Sequence, residues 1–377
     1  VLENNKRIFG KILNVISRDM FIEDNKRGFK RIMSSRNLDN DVEDEVVDKL
    51  VNTVDKAMPK LTHRYYKWKA NQFGQTRLDW WDRNAPLPHS SENLIKWSDA
   101  RDIILDSFSS FHPEISNLAE LFFKNNWIDA SLRKGKASGA FAHPSVPSLH
   151  PYILVNYQGK IRDVMTLAHE LGHGVHQILA GKNGLLMAET PLTLAETASV
   201  FGEMLVFRKL LDESSIAQKK QLLSGKIEDM LNTVARQIGF HQFEVKFHEA
   251  RIKSELTPDE ISNIWMETQS HAVGPHINLG DDYRFLWGYI PHFVHTPFYV
   301  YAYAFGDSLV NALWYAYQQS DKDIFSNKYI EMLSSGGTKS HNDLLKPFNL
   351  SAYDNSFWEK GITMITGLMD ELDDLDN

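Results

Sequence analysis

Residues Ile161–Gly181 read IRDVMTLAHELGHGVHQILAG, and the reading of this stretch decides the rest. Val164, Leu167, Ala168, Leu171, Val175, Ile178 and Leu179 recur at the spacing of one helical face. Asp163 is placed to cap the start and Gly181 to end the helix. Inside it stand His169, Glu170 and His173, the pattern H-E-x-x-H. Residues four apart share a helical face, with about 5–6 Å between Cβ atoms. Two imidazole nitrogens can then meet one metal ion at the usual Zn–N distance of about 2.0–2.1 Å. Glu170, next to the first histidine, can turn to the open side of such an ion and accept a proton from water. The bland alternative is a core helix with two half-exposed histidines. Gly172 and Gly174 speak against it, since each glycine inside a helix costs about 1 kcal/mol relative to alanine. Two of them beside the histidines point to a segment or ligand that must approach closely.

Two histidines and a water leave a zinc site one protein ligand short. The following helical stretch, TPLTLAETASVFGEMLVFRKLL (190–211), offers Glu196 and, further along the same face, Glu203, with Glu189 just before it. Glu196 has a competing role, because Thr193-x-x-Glu196 is a capping-box pattern. Spacing alone leaves both roles open. Glu203 suits a partner that holds His169 or His173 in one tautomer. A third cluster, HFVHTPFYVYAY (292–303), gathers His292, His295, Tyr299, Tyr301 and Tyr303. A phenol or neutral imidazole there can donate to the oxyanion of a tetrahedral intermediate. The competing reading is an aromatic core with incidental histidines. His271 and His276 in HAVGPHINLG (271–280) fit a mobile substrate loop or a plain surface loop equally well.

Composition excludes several function classes. The 41 Lys+Arg against 49 Asp+Glu give a formal charge of -8, which argues against non-specific nucleic-acid binding. There is no cysteine, so disulfides, thiolate catalysis and Cys-ligated metals are ruled out, and a reducing compartment suits the chain. No stretch approaches the roughly 18 consecutive apolar residues of a membrane span. The N-terminus, VLENNKRIFG, has no apolar signal core, and it begins with Val rather than Met.

Helical periodicity governs most of the chain. Ile8, Ile12, Val15 and Ile16 recur at helical spacing, as do Leu50, Val51, Val54 and Met58, and Pro59 then interrupts or restarts a helix. Residues 78–88 form a break, and 92–135 read as helix again. Ala140–His143 and Tyr152–Tyr157 read as strands of a small sheet. From 161 onward helices dominate, with breaks near 181–192, 271–297 and 334–340. No linker or repeat marks a boundary, so the expectation is one mainly α unit. Residues 1–90 form its helical lead-in and 91–377 its metal-binding core.

Together these segments resemble the oligoendopeptidase F branch of the thimet-oligopeptidase-like (M3) zinc metallopeptidases. The similarity rests on Tyr152–Tyr157, Asp163–His173, Glu196 in LAETAS, Ile290–Ala304, Gly336-Gly337, Phe357-Trp358 and the Leu78-Asp79 region. It runs through nearly the whole chain. It implies a mainly α, zincin-type catalytic domain with a small sheet beside the active-site helix, lining a deep peptide channel. It implies one Zn²⁺ per chain on His169, His173 and Glu196, raising Glu196 above the capping reading. Glu170 is then the general base, and His292 and Tyr301, followed by Tyr299 and Tyr303, assist the transition state. Gly139, Ala140, Phe141 and His295 are the expected substrate contacts, with the 139–143 segment pairing with the substrate backbone.

The implied activity is endopeptidase cleavage of short unstructured peptides by a cytoplasmic monomer or homodimer, with no nucleic-acid or membrane partner. A related zinc carboxypeptidase or dipeptidyl carboxypeptidase, or a non-catalytic peptide-binding protein, are the alternatives. Members of the family are usually longer, and their further N-terminal lobe is expected to be absent here.

Overall fold

The computed structural model describes residues 1–88 and 94–376. The chain condenses into two compact units, neither of which follows chain order. The first is built from Val1–Pro88, Gly225–Ser308 and Ile365–Asp370; the second takes the described residues of His89–Ser224, Leu309–Met364 and Glu371–Asn377. The single lead-in and core expected from the sequence therefore meet a different partition. Four of the five crossings fall inside the helices Ile216–Thr233, Tyr301–Gln318 and Asn355–Asp374, and the other, after Pro88, follows the break at 78–88.

In the first unit, the helices Leu2–Arg27, Ala235–Lys253 and Pro258–Val273 enclose an aromatic core with Phe240, Phe243, Trp265, Tyr283, Trp287 and Phe293 at its centre. The stripe singled out on the first helix stays at the surface: Ile8 is 59% and Val15 54% exposed. The buried face is instead Gly10, Leu13, Asn14 and Ser17. Leu13 joins the aromatic core, and Asn14 beside it ties the helix down by hydrogen bonds. The Asn14 amide donates to the Leu256 carbonyl at 2.9 Å and accepts from the Leu256 N–H at 2.9 Å. Periodicity of apolar residues cannot register such a face. Leu50, Val54 and Met58 are buried, and Pro59 sits in a short 3-10 turn before the helix Thr62–Gln72. The 271–280 segment is pinned. The His271 ring meets Asp55 at 2.7 Å, His276 meets the Thr76 carbonyl at 3.0 Å, and Ile277–Asn278 pairs in parallel with Leu78–Asp79.

In the second unit, the helix Ile161–Gly181 ends at Gly181, and Asp163 accepts the Lys160 and Gln158 N–H groups at its start. Its apolar face is buried through Val164, Leu167, Ala168, Leu171 and Val175. The helix Thr197–Asp212 packs on it. The helical stretch expected to reach residue 135 stops at Lys124. Asn126 then takes a left-handed φ of 58°, and Ile128–Asp129 becomes a strand parallel to Ile153–Leu154. Phe141–His143 pairs antiparallel with Tyr152–Leu154, giving a three-stranded sheet with Phe141–His143 at an edge.

The glycines of the H-E-x-x-H helix have a definite cause. A Cβ at Gly172 would stand 2.5 Å from the Ala198 carbonyl oxygen and 2.6 Å from the Ser199 Cα. A Cβ at Gly174 would enter the Phe122 ring. The close approach expected from the sequence is thus made by the neighbouring helix and a neighbouring aromatic side chain. Gly225, inside another helix, meets nothing within 4 Å. Gly172→Ala is therefore expected to lower stability by about 1–3 kcal/mol, and Gly225→Ala to be neutral or stabilising by about 0.4–1 kcal/mol. Urea midpoints of the two variants check this; equal midpoints would mean the helix contact can relax.

A second prediction concerns pH. Glu244 is buried in the first unit, where its Oε1 accepts the Phe298 N–H at 2.7 Å and its Oε2 has no partner. Burial pushes its carboxyl up to about 8. The folded state holds a proton that the unfolded chain releases near the ordinary value of 4.5. The associated stability is complete below that value and is lost as pH rises towards 8, by up to about 1.4 kcal/mol per pH unit. Glu244→Gln should flatten this fall between pH 5 and 8 in urea unfolding. Parallel curves for the two proteins would acquit Glu244.

Candidate metal centre

His169 and His173 lie one turn apart with ring centroids 4.9 Å apart. Glu196 comes from the junction between the short helix Leu192–Ala195 and the helix Thr197–Asp212. Its Oε2 stands 3.2 Å from His169 Nε2 and 3.4 Å from His173 Nε2. The ligand atoms of all three residues lie within 4.8 Å of one another. Ligands at about 2.0–2.1 Å from a tetrahedral ion stand roughly 3.3–3.4 Å apart, so the two His–Glu separations are those of a zinc-sized site.

The competing capping role of Glu196 finds a different occupant. Its carboxylate accepts from Ser199 Oγ at 2.7 Å and faces both imidazoles. The Thr193 side chain, the other half of the proposed box, lies outside the described residues. Ser199 was missed by the sequence reading; a hydroxyl three residues beyond the carboxylate was the signal available.

Glu203 Oε2 meets His169 Nδ1 at 3.3 Å. With Nδ1 directed to that carboxylate, Nε2 is the ring nitrogen that faces Glu196. Burial works against a charged His169. Its hydrogen bonds to Glu196 and Glu203 outweigh burial and raise the imidazole to about 10. Burial likewise works against a charged Glu196, and its bonds to His169 and His173 hold it far below the usual carboxylate range. Two carboxylates against two imidazoles make a place that favours added positive charge.

Glu170 sits beside this triangle and is 6% exposed. Burial raises its carboxyl, opposed chiefly by the charges of His169 and His173. Its Oε2 has no hydrogen-bond partner, and the Ala142 N–H donates to the carboxylate. Ala142 belongs to the edge strand Phe141–His143, which brings that N–H near the Glu170 carboxylate. Backbone donors leave no mark in sequence, which is why Ala142 was not among the candidates. Gly139 takes φ 88° and its carbonyl accepts from Asn156 at 2.9 Å. Ala140 is half-buried, and the Phe141 side chain is exposed. A cavity of about 580 Å³ opens beside His173, lined among others by Val146, Leu149, His176, Gln177, Glu189 and Thr190. Burial drops His176 to about 4, so its ring in that wall is neutral.

The third cluster belongs to the first unit. His292 Nε2 stands 3.1 Å from Tyr303 Oη, and its ring stacks over Tyr299 at 6.1 Å. Tyr301 does not join them. It is fully buried, its Oη accepts from Asn40 at 2.9 Å, and burial raises its phenol. His295 is exposed.

The sequence model of peptidase family M3 matches residues 11–364. The chain belongs to that family. It is 28% identical over 339 residues to oligopeptidase PepF of Bacillus subtilis, covering 89% of this chain and 50% of that protein. It is 30% identical over 341 residues to an oligoendopeptidase F homolog of Borreliella burgdorferi, covering 89% of this chain and 57% of that one. The M3 chain thus spans about half the length of these two relatives. A crystal structure from Chlamydophila abortus superposes with a TM-score of 0.89 at 27% identity, over 99% of this chain and 62% of the other. Oligoendopeptidase-F from Enterococcus faecium shares the fold, with a TM-score of 0.78 at 20% identity over 100% of this chain and 61% of that one. Among the described residues no helix is long and apolar enough to cross a membrane.

The link from Glu203 to His169 gives a testable expectation. Glu203→Gln should weaken metal retention about 10–100-fold. Metal content after dialysis against graded chelator reads this directly, and wild-type retention would exclude Glu203 as the residue that orients His169.

Proposed function

We propose that this chain carries the catalytic centre of a zinc-dependent endopeptidase acting on internal bonds of short unstructured peptides. The observation that carries the reading is Glu170 Oε2, buried and without a partner, beside the donor triangle of His169, His173 and Glu196. Membership of peptidase family M3 and likeness to proteins named oligoendopeptidase F support the reaction class. The donor set of two imidazole nitrogens and one carboxylate oxygen fits zinc, one ion per chain. Bound there, zinc supplies Lewis-acid polarisation of a carbonyl and acidification of water.

The remaining steps belong to the chain's own side chains. His169, His173 and Glu196 hold the ion, and Glu203 keeps His169 in the tautomer with Nε2 free. Glu170 takes a proton from the attacking water and returns it to the leaving amine. The edge strand Phe141–His143 receives the peptide backbone as an added strand, with Gly139 and Ala140 leading into it. His292, Tyr299 and Tyr303, which pack together in the first unit, keep the role of oxyanion donors only as the family resemblance implies it. Tyr301, closed off against Asn40, is assigned to holding the 297–301 segment in place. His295, exposed, stays a candidate contact for the peptide partner.

Glu170→Gln removes the base while preserving shape. Cleavage of an internally quenched peptide blocked at both ends should fall at least a hundredfold with zinc content unchanged. Activity near wild type would remove Glu170 as the base. Absence of zinc from the purified wild-type protein, even after reconstitution, would remove the metallopeptidase reading.

A further inference from the structure

The helix Ala235–Lys253 buries three titratable side chains, His241, Glu244 and His248, at positions that share one helical face. Apolar residues would be cheaper to bury, so polar ones there need a partner to hold. For Glu244 that partner is the backbone of the 297–301 segment. Its Oε1 accepts the Phe298 N–H at 2.7 Å. Arg36, in the short helix Ser34–Asp39, donates from Nε to the Pro297 carbonyl at 3.1 Å. The Pro297 carbonyl and the Phe298 N–H are the two ends of a single peptide group. One side chain grips each end, so the rigid plane of that peptide cannot turn without breaking a bond. All of these groups belong to the first unit.

The gripped peptide leads into a strained residue. Phe298 takes a left-handed φ of 60°. That region is unfavourable for any residue with a Cβ and uncommon for a bulky one. A residue stays there only where its surroundings over-determine it. The Phe298 ring is fully buried, 4.6 Å from the His248 ring and 6.2 Å from the His241 ring. The next residue, Tyr299, is half-buried, with its ring 5.2 Å from Tyr303 and 6.1 Å from His292. Turning the peptide would move Phe298 out of its left-handed conformation and carry Tyr299 away from both.

Burial pushes the Glu244 carboxyl up to about 8, against the Phe298 hydrogen bond and the Arg36 charge, which pull it down. Burial drops His241 to about 4 and His248 to about 3, so both rings are neutral. At neutral pH Glu244 is mostly a neutral acid, for which glutamine is a close substitute in shape and charge.

We propose that Glu244 and Arg36 are positioning residues that clamp the Pro297–Phe298 peptide and thereby set the arrangement of Tyr299, His292 and Tyr303. The inference rests on the reading that these three side chains serve the peptidase reaction. The test compares Glu244→Gln, which keeps an acceptor oxygen, with Glu244→Leu, which has none. Arg36→Met releases the other end of the same peptide from a half-buried position, and it is the second variant should Glu244→Leu fail to fold. Tyr303→Phe and His292→Ala serve as the reference pair.

Amide hydrogen exchange across residues 296–301 is read first, because it needs no activity. Glu244→Leu and Arg36→Met are expected to speed it about tenfold or more, and Glu244→Gln to leave it near wild type. With the quenched peptide, Glu244→Leu should lower kcat about tenfold or more at unchanged KM and zinc content, and Glu244→Gln should restore it. Unchanged exchange in both Glu244→Leu and Arg36→Met would overturn the clamp, whatever the activity. Equal kcat losses in Glu244→Gln and Glu244→Leu would reduce Glu244 to a packing residue. Wild-type kcat in Glu244→Leu, with the reference pair impaired, would overturn the positioning role alone. Wild-type kcat in both members of the reference pair would overturn the role given to the aromatic cluster, and the positioning role with it, while the exchange result would still stand.

Discussion

The triangle of His169, His173 and Glu196 depends on one backbone contact. The helix that carries His169 and His173 meets the helix that follows Glu196 with no side chain between them at Gly172. Helices separated by ordinary side chains lie about 8–10 Å apart between axes. At that spacing a glutamate at the start of the second helix would not reach two imidazoles on the first. The glycine, unfavourable for the helix itself, is what places a carboxylate within 3.4 Å of both rings. Propensity is given up locally and the site geometry is obtained in return.

The electrostatics follow from that placement. Glu196 and Glu203 crowd one imidazole from two sides, each using a different ring nitrogen. The second carboxylate fixes which nitrogen remains open, and the first faces the open one. Glu170 departs from this pattern, because burial rather than pairing dominates its surroundings. Two kinds of carboxylate thus stand within one helix pair. Glu196 is held ionised against the imidazoles, and Glu170 is kept basic by desolvation, which is the separation that acid–base chemistry at a metal requires.

Much of this could be read from the sequence, for identifiable reasons. The helix 161–181, its buried stripe and the shared face of His169 and His173 follow from spacing, because helical geometry is rigid over a few turns. Glu196 was singled out by the family resemblance, since spacing left its capping role open. The close approach at Gly172 was foreshadowed by an unfavourable residue in an otherwise good helix. The failures are equally physical. On the first helix an apolar stripe at Ile8 and Val15 proved to be surface, since the packed face is held by Asn14 and small residues. Tyr301 could not be told from Tyr299 and Tyr303 by pattern, because what separates them is Asn40, far away in sequence. The Ala142 N–H is invisible to any reading based on side chains.

The interleaving of the two units bears on synthesis. The first 88 residues belong with 225–308 and 365–370, so their hydrophobic partners are absent while the ribosome is making residues 89–224. Domains that are continuous in sequence can close one after another as they emerge. Here the early helices must wait, with Val46, Leu50 and Val54 uncovered, until the helices Ala235–Lys253 and Pro258–Val273 have been translated. The nascent chain therefore exposes apolar surface for more than a hundred residues of elongation. Such a chain is a natural client for chaperones, and for the same reason it cannot be divided at any one peptide bond into two independently folding halves.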